Sequence, residues 1–134
     1  MTNSNLTIEK IMRVSDSFPV LKPNSLVKEA LDSMSEHGIG IVCVVGDESK
    51  LLGVITDGDL RRALLKNQKP FSAIFNDDIV NFTNKNIQSI GIDTSLNDAA
   101  KLFLEKKVWD LPVVDKENSL LGIVHLHEVV EMLL

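Results

Sequence analysis

Apolar and polar positions along this chain follow a set order of periods, and that order occurs twice. Behind Ser25, a residue type that caps helix starts by accepting a backbone N–H, the apolar residues Leu26, Val27, Ala30, Leu31 and Met34 recur at helical spacing, which predicts a helix ended by Gly38 and Gly40. Ile41–Val45 is then an unbroken, largely β-branched run, Gly46–Lys50 is polar turn material, and Leu51–Thr56 is a second apolar run, so two strands joined by a turn follow. Asp57–Leu65 opens with acids and ends in leucines, as suits a short helix. The second pass begins at Ser95-Leu96-Asn97-Asp98, a capping-box pattern, and Leu96, Ala99, Ala100, Phe103 and Leu104 fall on one face. Leu111–Val114 and Leu120–His125 are its strands and Leu126–Leu134 its closing helix. A strand as apolar as Ile41–Val45 needs cover on both faces, so the expected class is α+β, with helices layered on small sheets.

Laying Ser25–Val45 over Ser95–Asp115, and Asp47–Leu65 over Lys116–Leu134, leaves only Gly46 over and matches Leu51, Leu52 and Gly53 to Leu120, Leu121 and Gly122. The expected domains are therefore 1–68 and 69–134. Halves of this size bury little core alone and are expected to pack together around a cleft. Lys10-Ile11-Met12 is echoed by Asp78-Ile79-Val80, so each half is expected to own a lead-in that passes through an extended piece, Phe18–Leu21 or Ser89–Ile92. The linker 66–86 is polar, but Phe71, Ile74, Phe75, Ile79 and Phe82 offer anchors.

Composition narrows the function. The 134 residues carry 14 basic against 19 acidic side chains, a net charge of −5, which argues against a partner that is nucleic acid or an anionic membrane. The single Cys43 excludes an internal disulfide and reads as a small buried hydrophobe. With neither a signal-type start nor an apolar stretch of about 18 residues, the expected location is the cytoplasm. No Ser/His/Asp order, Cys/His pair, Gly-rich phosphate loop or metalloprotease motif is present, so the chain is not expected to be an enzyme.

Candidate chemistry concentrates at Gly53-Val54-Ile55-Thr56-Asp57-Gly58-Asp59, where a strand delivers Thr56 to the start of a helix with unpaired N–H groups. A hydroxyl beside such donors suits a phosphate, and the Asp59 carboxylate suits the paired hydroxyls of a ribose. The same residues also serve as a helix cap, Thr56 or Asp57 at the N-terminus with Asp59 complementing the dipole. Arg61 and Arg62 are solvated helix positions or anion contacts. In the second copy His125, His127 and Glu128 stand at the corresponding end. They read as a cap of the cleft or a phosphate sensor that titrates near neutrality, with no third protein ligand evident for a metal. His37, ending a helix, complements its dipole. Trp109 reads as core or interface packing, with stacking on a base as the alternative.

A duplicated helix–strand–turn–strand–helix unit with Gly-hydrophobic-hydrophobic-Thr-x-x-Asp on its second strand resembles the cystathionine-β-synthase (CBS) domain. The two copies resemble a CBS pair, or Bateman module, over nearly the whole chain, including Lys10-Ile11-Met12 and Leu111-Pro112-Val113-Val114. More narrowly, Asp16–Val20, Gly53–Leu64 and Gly122–Val129 are similar to the carboxy-terminal pair of bacterial arabinose-5-phosphate isomerases of the KpsF/GutQ type, which serve synthesis of the lipopolysaccharide sugar Kdo. The resemblance implies tandem β-α-β-β-α units related by a pseudo-twofold, forming a regulatory module without chemistry of its own. By the family pattern Thr56 contacts phosphate or ribose and Asp59 holds ribose hydroxyls. Val20–Lys22 (Val20, Lys22) and Ile39–Val42 (Ile39, Gly40, Ile41) form a base pocket. Asp57 and Arg62 flank this motif; Trp109, Pro112, His125, His127 and Glu128 belong to a second site that departs from the pattern.

The resemblance further implies an effector in place of a required cofactor: AMP, ADP, ATP, or a CMP-sugar such as CMP-Kdo. Its implied partner is a sugar-phosphate enzyme domain, in cis or in trans, with homodimers formed by CBS stacking. The alternatives are a structural dimerisation module with empty clefts and the CBS pair of a sugar-phosphate nucleotidyltransferase.

Overall fold

The computed structural model describes residues 6–14, 16–66 and 68–134. Its elements are β1 (Val20–Leu21), α1 (Val27–His37), β2 (Ile41–Val45), β3 (Leu51–Thr56), α2 (Asp57–Lys66), α3 (Phe71–Phe75), β4 (Ile90–Gly91), α4 (Leu96–Lys106), β5 (Asp110–Val114), β6 (Leu120–His125) and α5 (Leu126–Leu133). Single 3₁₀ turns occur at Ile8–Lys10, Asp47–Ser49 and Ile79–Phe82. The β-α-β-β-α order thus occurs twice, and the α+β class holds. Each repeat builds a three-stranded sheet whose middle strand, β2 or β5, pairs in parallel with a two-residue strand and antiparallel with the strand after it.

Residues 16–87 form one compact unit, here the first. Residues 88–134 form the second together with the N-terminal segment. Lead-ins are therefore exchanged: each repeat is completed by the segment preceding the other. In the first unit Ile79 N donates to Ser25 O at 2.8 Å, and Val54 and Asn84 exchange backbone bonds of 3.1 and 2.8 Å. In the second, Ile8 N donates to Thr94 O at 2.8 Å, Leu96 N to Leu6 O at 2.7 Å, and Arg13 and Ile123 exchange bonds of 2.8 and 3.0 Å. The expectation that each half owns its own lead-in is corrected, because two similar apolar segments say nothing about which core receives each. The correspondence itself also shifts. Ile8 and Ile79, each fully buried at the start of a 3₁₀ turn, are the equivalent residues.

The helices correct the internal alignment by one position. α1 buries Val27, Ala30 and Met34, whereas α4 buries Leu96, Ala99 and Phe103. The strands keep this register, since Val44 pairs with Gly53 as Val113 pairs with Gly122. Gly46 is then the counterpart of Asp115 and no residue is left over: Gly46 N donates to Lys50 O at 2.8 Å, and Asp115 N to Ser119 O at 3.0 Å. The same shift removes Ser25 from the cap. Leu26 holds the extended cap conformation, and its N–H donates to Glu29 Oε1 at 3.3 Å. Ser95 does cap α4, its Oγ accepting from Asp98 N at 3.1 Å. Ser95→Ala is therefore expected to cost about 1 kcal/mol in chemical denaturation and Ser25→Ala less than about 0.5 kcal/mol.

The core of the first unit gathers Val27, Val42, Val44, Ile55 and Leu60 around Ile74 and Ile79 from the linker, with Phe75 and Phe82 against it. Phe71 is exposed and touches only the Phe75 ring among the aromatic contacts. The second core gathers Ile8, Leu96, Phe103, Leu111, Val113 and Val124. Cys43 is buried. No helix among the described residues is long and apolar enough to cross a membrane.

Candidate ligand-binding site

In the first unit β3 runs into α2 without a break, and the corner is held by a reciprocal pair. Thr56 N donates to Asp59 Oδ2 at 3.0 Å, and Asp59 N donates to Thr56 Oγ1 at 3.2 Å. This is a capping box, so the helix-cap reading of these residues is realised. It leaves chemistry to spare. The Thr56 hydroxyl keeps its hydrogen to donate, and the Asp59 carboxylate, also bonded to Arg62 Nη2 at 2.8 Å, retains acceptor sites. Ile41, buried at the start of β2, pairs with Thr56, and Asp57 N donates to Gly40 O at 3.1 Å. Glycine at position 40 keeps this corner open, because a Cβ there would lie 2.6 Å from Asp57 Oδ2.

Gly40, Ile41, Thr56, Asp57, Asp59 and Arg62 thus come together. Ile39 is buried just ahead of them, and Val20 is half-exposed on β1, paired with Cys43. Lys22 is held elsewhere: its Nζ donates to Gly46 O at 3.3 Å, at the far end of β2 from Ile41. Beside the corner, an open groove of about 580 Å³ is lined by Asp59, Arg62, Lys66, Lys69, Ile74 and Phe82 among others.

The corresponding corner of the second unit has different chemistry at every position. In the structural register His125 stands for Thr56, Glu128 for Asp59, Asp110 for Ile41, Trp109 for Gly40 and His127 for Gly58. Leu126 N still donates to Trp109 O, at 2.9 Å, so the backbone is conserved between the units while the side chains are exchanged. The reciprocal cap is gone. His125 Nδ1 instead meets Asp110 Oδ1 at 2.9 Å across the β5–β6 pair, and Glu128 Oε1 accepts from Arg13 Nε at 2.8 Å. The Asp110 carboxyl is held above its ordinary value of 3.8 by desolvation, offset in part by the hydrogen bond and charge of His125 and by Arg13.

Trp109 is 62% exposed, which excludes the core half of its core-or-interface reading; its ring meets His127 edge-on at 6.0 Å. His127 in turn meets His125 edge-on at 5.1 Å, although one residue closes β6 and the other lies in α5. Pro112 is buried in mid-strand, paired with Ile123. A proline is tolerated in this middle strand because β4 starts only at Ile90, opposite Val113, so no neighbour requires an N–H at 112. His37 bonds through Nδ1 to Ser33 O at 2.9 Å, at the end of α1 as its dipole reading expects.

Arg13 and Asp110 escaped the sequence reading. The alignment set Asp110 against Gly40; one residue over, it faces Ile41, and an acid where the other copy has a buried isoleucine is a visible signal. Arg13 carried no local signal, because its lead-in joins the opposite repeat.

A model of the CBS domain family matches residues 8–66 and 77–134, and the chain belongs to this family as a pair of CBS domains. CBS pairs are nucleotide-binding regulatory modules without catalytic function of their own, and they often associate as dimers. Among particular relatives, the chain is 31% identical to CBSX2, solved in complex with AMP, with a TM-score of 0.81 and 93% of each chain covered. It is 30% identical to arabinose 5-phosphate isomerase KdsD of Francisella tularensis over 95% of this chain and 37% of that enzyme. It is 34% identical to inosine-5'-monophosphate dehydrogenase of Aquifex aeolicus over 83% of this chain and 21% of the enzyme. The chain therefore spans about a third or less of the length of these two enzymes.

Proposed function

We propose that this CBS pair senses an adenine nucleotide at the Thr56–Asp59 corner and transmits occupancy to a sugar-phosphate enzyme of the arabinose-5-phosphate isomerase kind, linked or separate. The observation that carries this reading is the corner itself. A hydroxyl with a hydrogen to donate and a carboxylate with acceptor sites to spare are fixed by each other's backbone, beside an opening that Gly40 leaves clear. Ribose hydroxyls complement Asp59, a phosphate complements Thr56, and the hydrophobic Ile39–Ile41 stretch suits the base. Arg62, Lys66 and Lys69 line the same groove as Asp59 and supply positive charge for further phosphates. The binding of AMP by CBSX2, and the likeness to the isomerase, support the ligand class and the partner class respectively.

Occupancy acts by population shift, since a ligand that prefers one conformation stabilises the surface that conformation presents. Thermal unfolding in the presence of AMP, ADP, ATP and CMP-sugars tests the reading. At about 100-fold excess over Kd the effector should add about 2.7 kcal/mol of stability. A chain stabilised by none of them is the structural dimerisation module, and one stabilised only by a CMP-sugar senses the end product in place of an adenine nucleotide.

A further inference from the structure

We propose that Arg62 selects nucleotides over nucleosides at the first corner, by yielding the Asp59 carboxylate to a ribose and turning to the phosphate that the same ligand carries. This rests on the reading of that corner as a nucleotide-sensing site, and it adds a residue that separates phosphorylated from unphosphorylated adenosine. Both oxygens of Asp59 are engaged from within the chain: Oδ2 accepts from Thr56 N at 3.0 Å and Oδ1 from Arg62 Nη2 at 2.8 Å. The two bonds differ in how easily they open. Thr56 N belongs to the backbone and is fixed by the reciprocal cap, whereas the Arg62 side chain is 55% exposed, and exposed side chains change rotamer in picoseconds to nanoseconds. A ribose that takes Oδ1 therefore displaces the guanidinium and leaves the cap standing.

Gly58 makes room for this arrangement. A Cβ at position 58 would lie 3.1 Å from Arg62 Nη1 and 3.3 Å from Nη2, so the guanidinium is folded back over the first turn of α2, above a residue without a side chain. In the second unit His127 stands for Gly58 and Glu131 for Arg62. The cation on Glu128 there is Arg13, which arrives from the lead-in with its backbone tied to Ile123 by bonds of 2.8 and 3.0 Å. A counter-cation on the helix itself, free to turn away, is thus a feature of the first corner.

The charges decide which ligands gain. A nucleoside brings ribose hydroxyls to Asp59 but breaks the ion pair and leaves the guanidinium without an anion. A nucleotide brings the same hydroxyls and an anion as well, so the guanidinium exchanges one partner with two acceptor oxygens for another, beside the Thr56 hydroxyl. Lys66, one turn after Arg62, lines the same groove with Lys69, and these three cations outweigh the acids Asp59 and Asp77. The surroundings of Arg62 therefore favour an anion.

Calorimetric titration of the full chain with AMP and with adenosine, wild type beside Arg62→Gln, tests the exchange. In the variant, AMP affinity should fall about tenfold, the loss expected for one charge-assisted contact. Adenosine affinity should be retained or rise by up to about fivefold, because the exposed ion pair no longer competes for Asp59. A residue that merely supports the corner would weaken both ligands when removed, so a parallel fall overturns the exchange. So does a wild type that binds the two ligands alike, or a preference for AMP that Arg62→Gln leaves unchanged. Each of these results leaves the sensing role in place. Absence of heat with either ligand in the wild type overturns the sensing role and, with it, the selection by Arg62.

Discussion

Replacing Ile8 by alanine should destabilise the far end of the sequence, residues 88–134, and leave the neighbouring residues 16–87 largely protected. Ile8 is fully buried and packs with Leu96, Phe103, Leu111 and Val124, none of them earlier in the chain than α4, the second element of the second repeat. Deleting its side-chain carbons leaves a cavity that the rigid turn Ile8–Lys10 cannot fill, at a cost of about 2–5 kcal/mol. Backbone bonds from Leu6, Ile8 and Arg13 to Leu96, Thr94 and Ile123 tie that turn to the second unit alone. Hydrogen exchange on the variant checks this: amides of β5, β6 and α4 should lose protection before those of β2, β3 and α1. Uniform loss in the first repeat would show that the lead-ins are not exchanged. Ile79→Ala should give the mirror result, since it is equally buried in the first core.

Gly53→Ala is expected to be nearly as severe for a different reason. An added Cβ would lie 2.6 Å from the Asn84 carbonyl oxygen and collide with Thr83 Cγ2. The carbonyl cannot retreat without breaking the two Val54–Asn84 backbone bonds that dock the incoming lead-in. The expected loss is about 2–3 kcal/mol, or a fall in Tm of about 5–15 °C. Gly46→Ala is the control, because its Cβ meets only the side-chain end of Leu52, at 3.2 Å, a residue that is 43% exposed and can give way. Equal losses at the two positions would mean that the close approach at Gly53 carries no energetic weight. Gly122, whose Cβ would strike the Arg13 carbonyl, should behave like Gly53.

Most of the architecture is legible in the pattern of apolar residues. The helices, the two hairpins and the repeat follow from spacing, because burial on one face imposes a period of about 3.6 on helices and unbroken runs on covered strands. What escaped is long-range. Two lead-ins with similar apolar residues satisfy either core locally, so only tertiary packing shows that Ile8 joins Leu96 and Ile79 joins Val27. The repeat register slipped by one for a related reason: Ser25 and Leu26 match Ser95 and Leu96 by identity, but the buried face matches Val27 with Leu96. Of the candidate site, the Thr56–Asp59–Arg62 constellation was readable because it is contiguous in sequence. The His125–Asp110 and Arg13–Glu128 pairs bridge separate elements and were not. Trp109, an apolar residue on the surface, defeats any reading that equates hydrophobicity with core.

The central claim is that the Thr56–Asp59 corner binds nucleotide in addition to capping α2. Calorimetric titration of Asp59→Ala with AMP, beside wild type at neutral pH, separates the two roles. As a cap alone, Asp59 contributes about 1 kcal/mol to folding, and its removal leaves AMP affinity untouched. As the acceptor of ribose hydroxyls through charge-assisted bonds, its removal should weaken AMP binding by tenfold or more, with circular dichroism unchanged. A folded Asp59→Ala variant that binds AMP with wild-type affinity would contradict the claim.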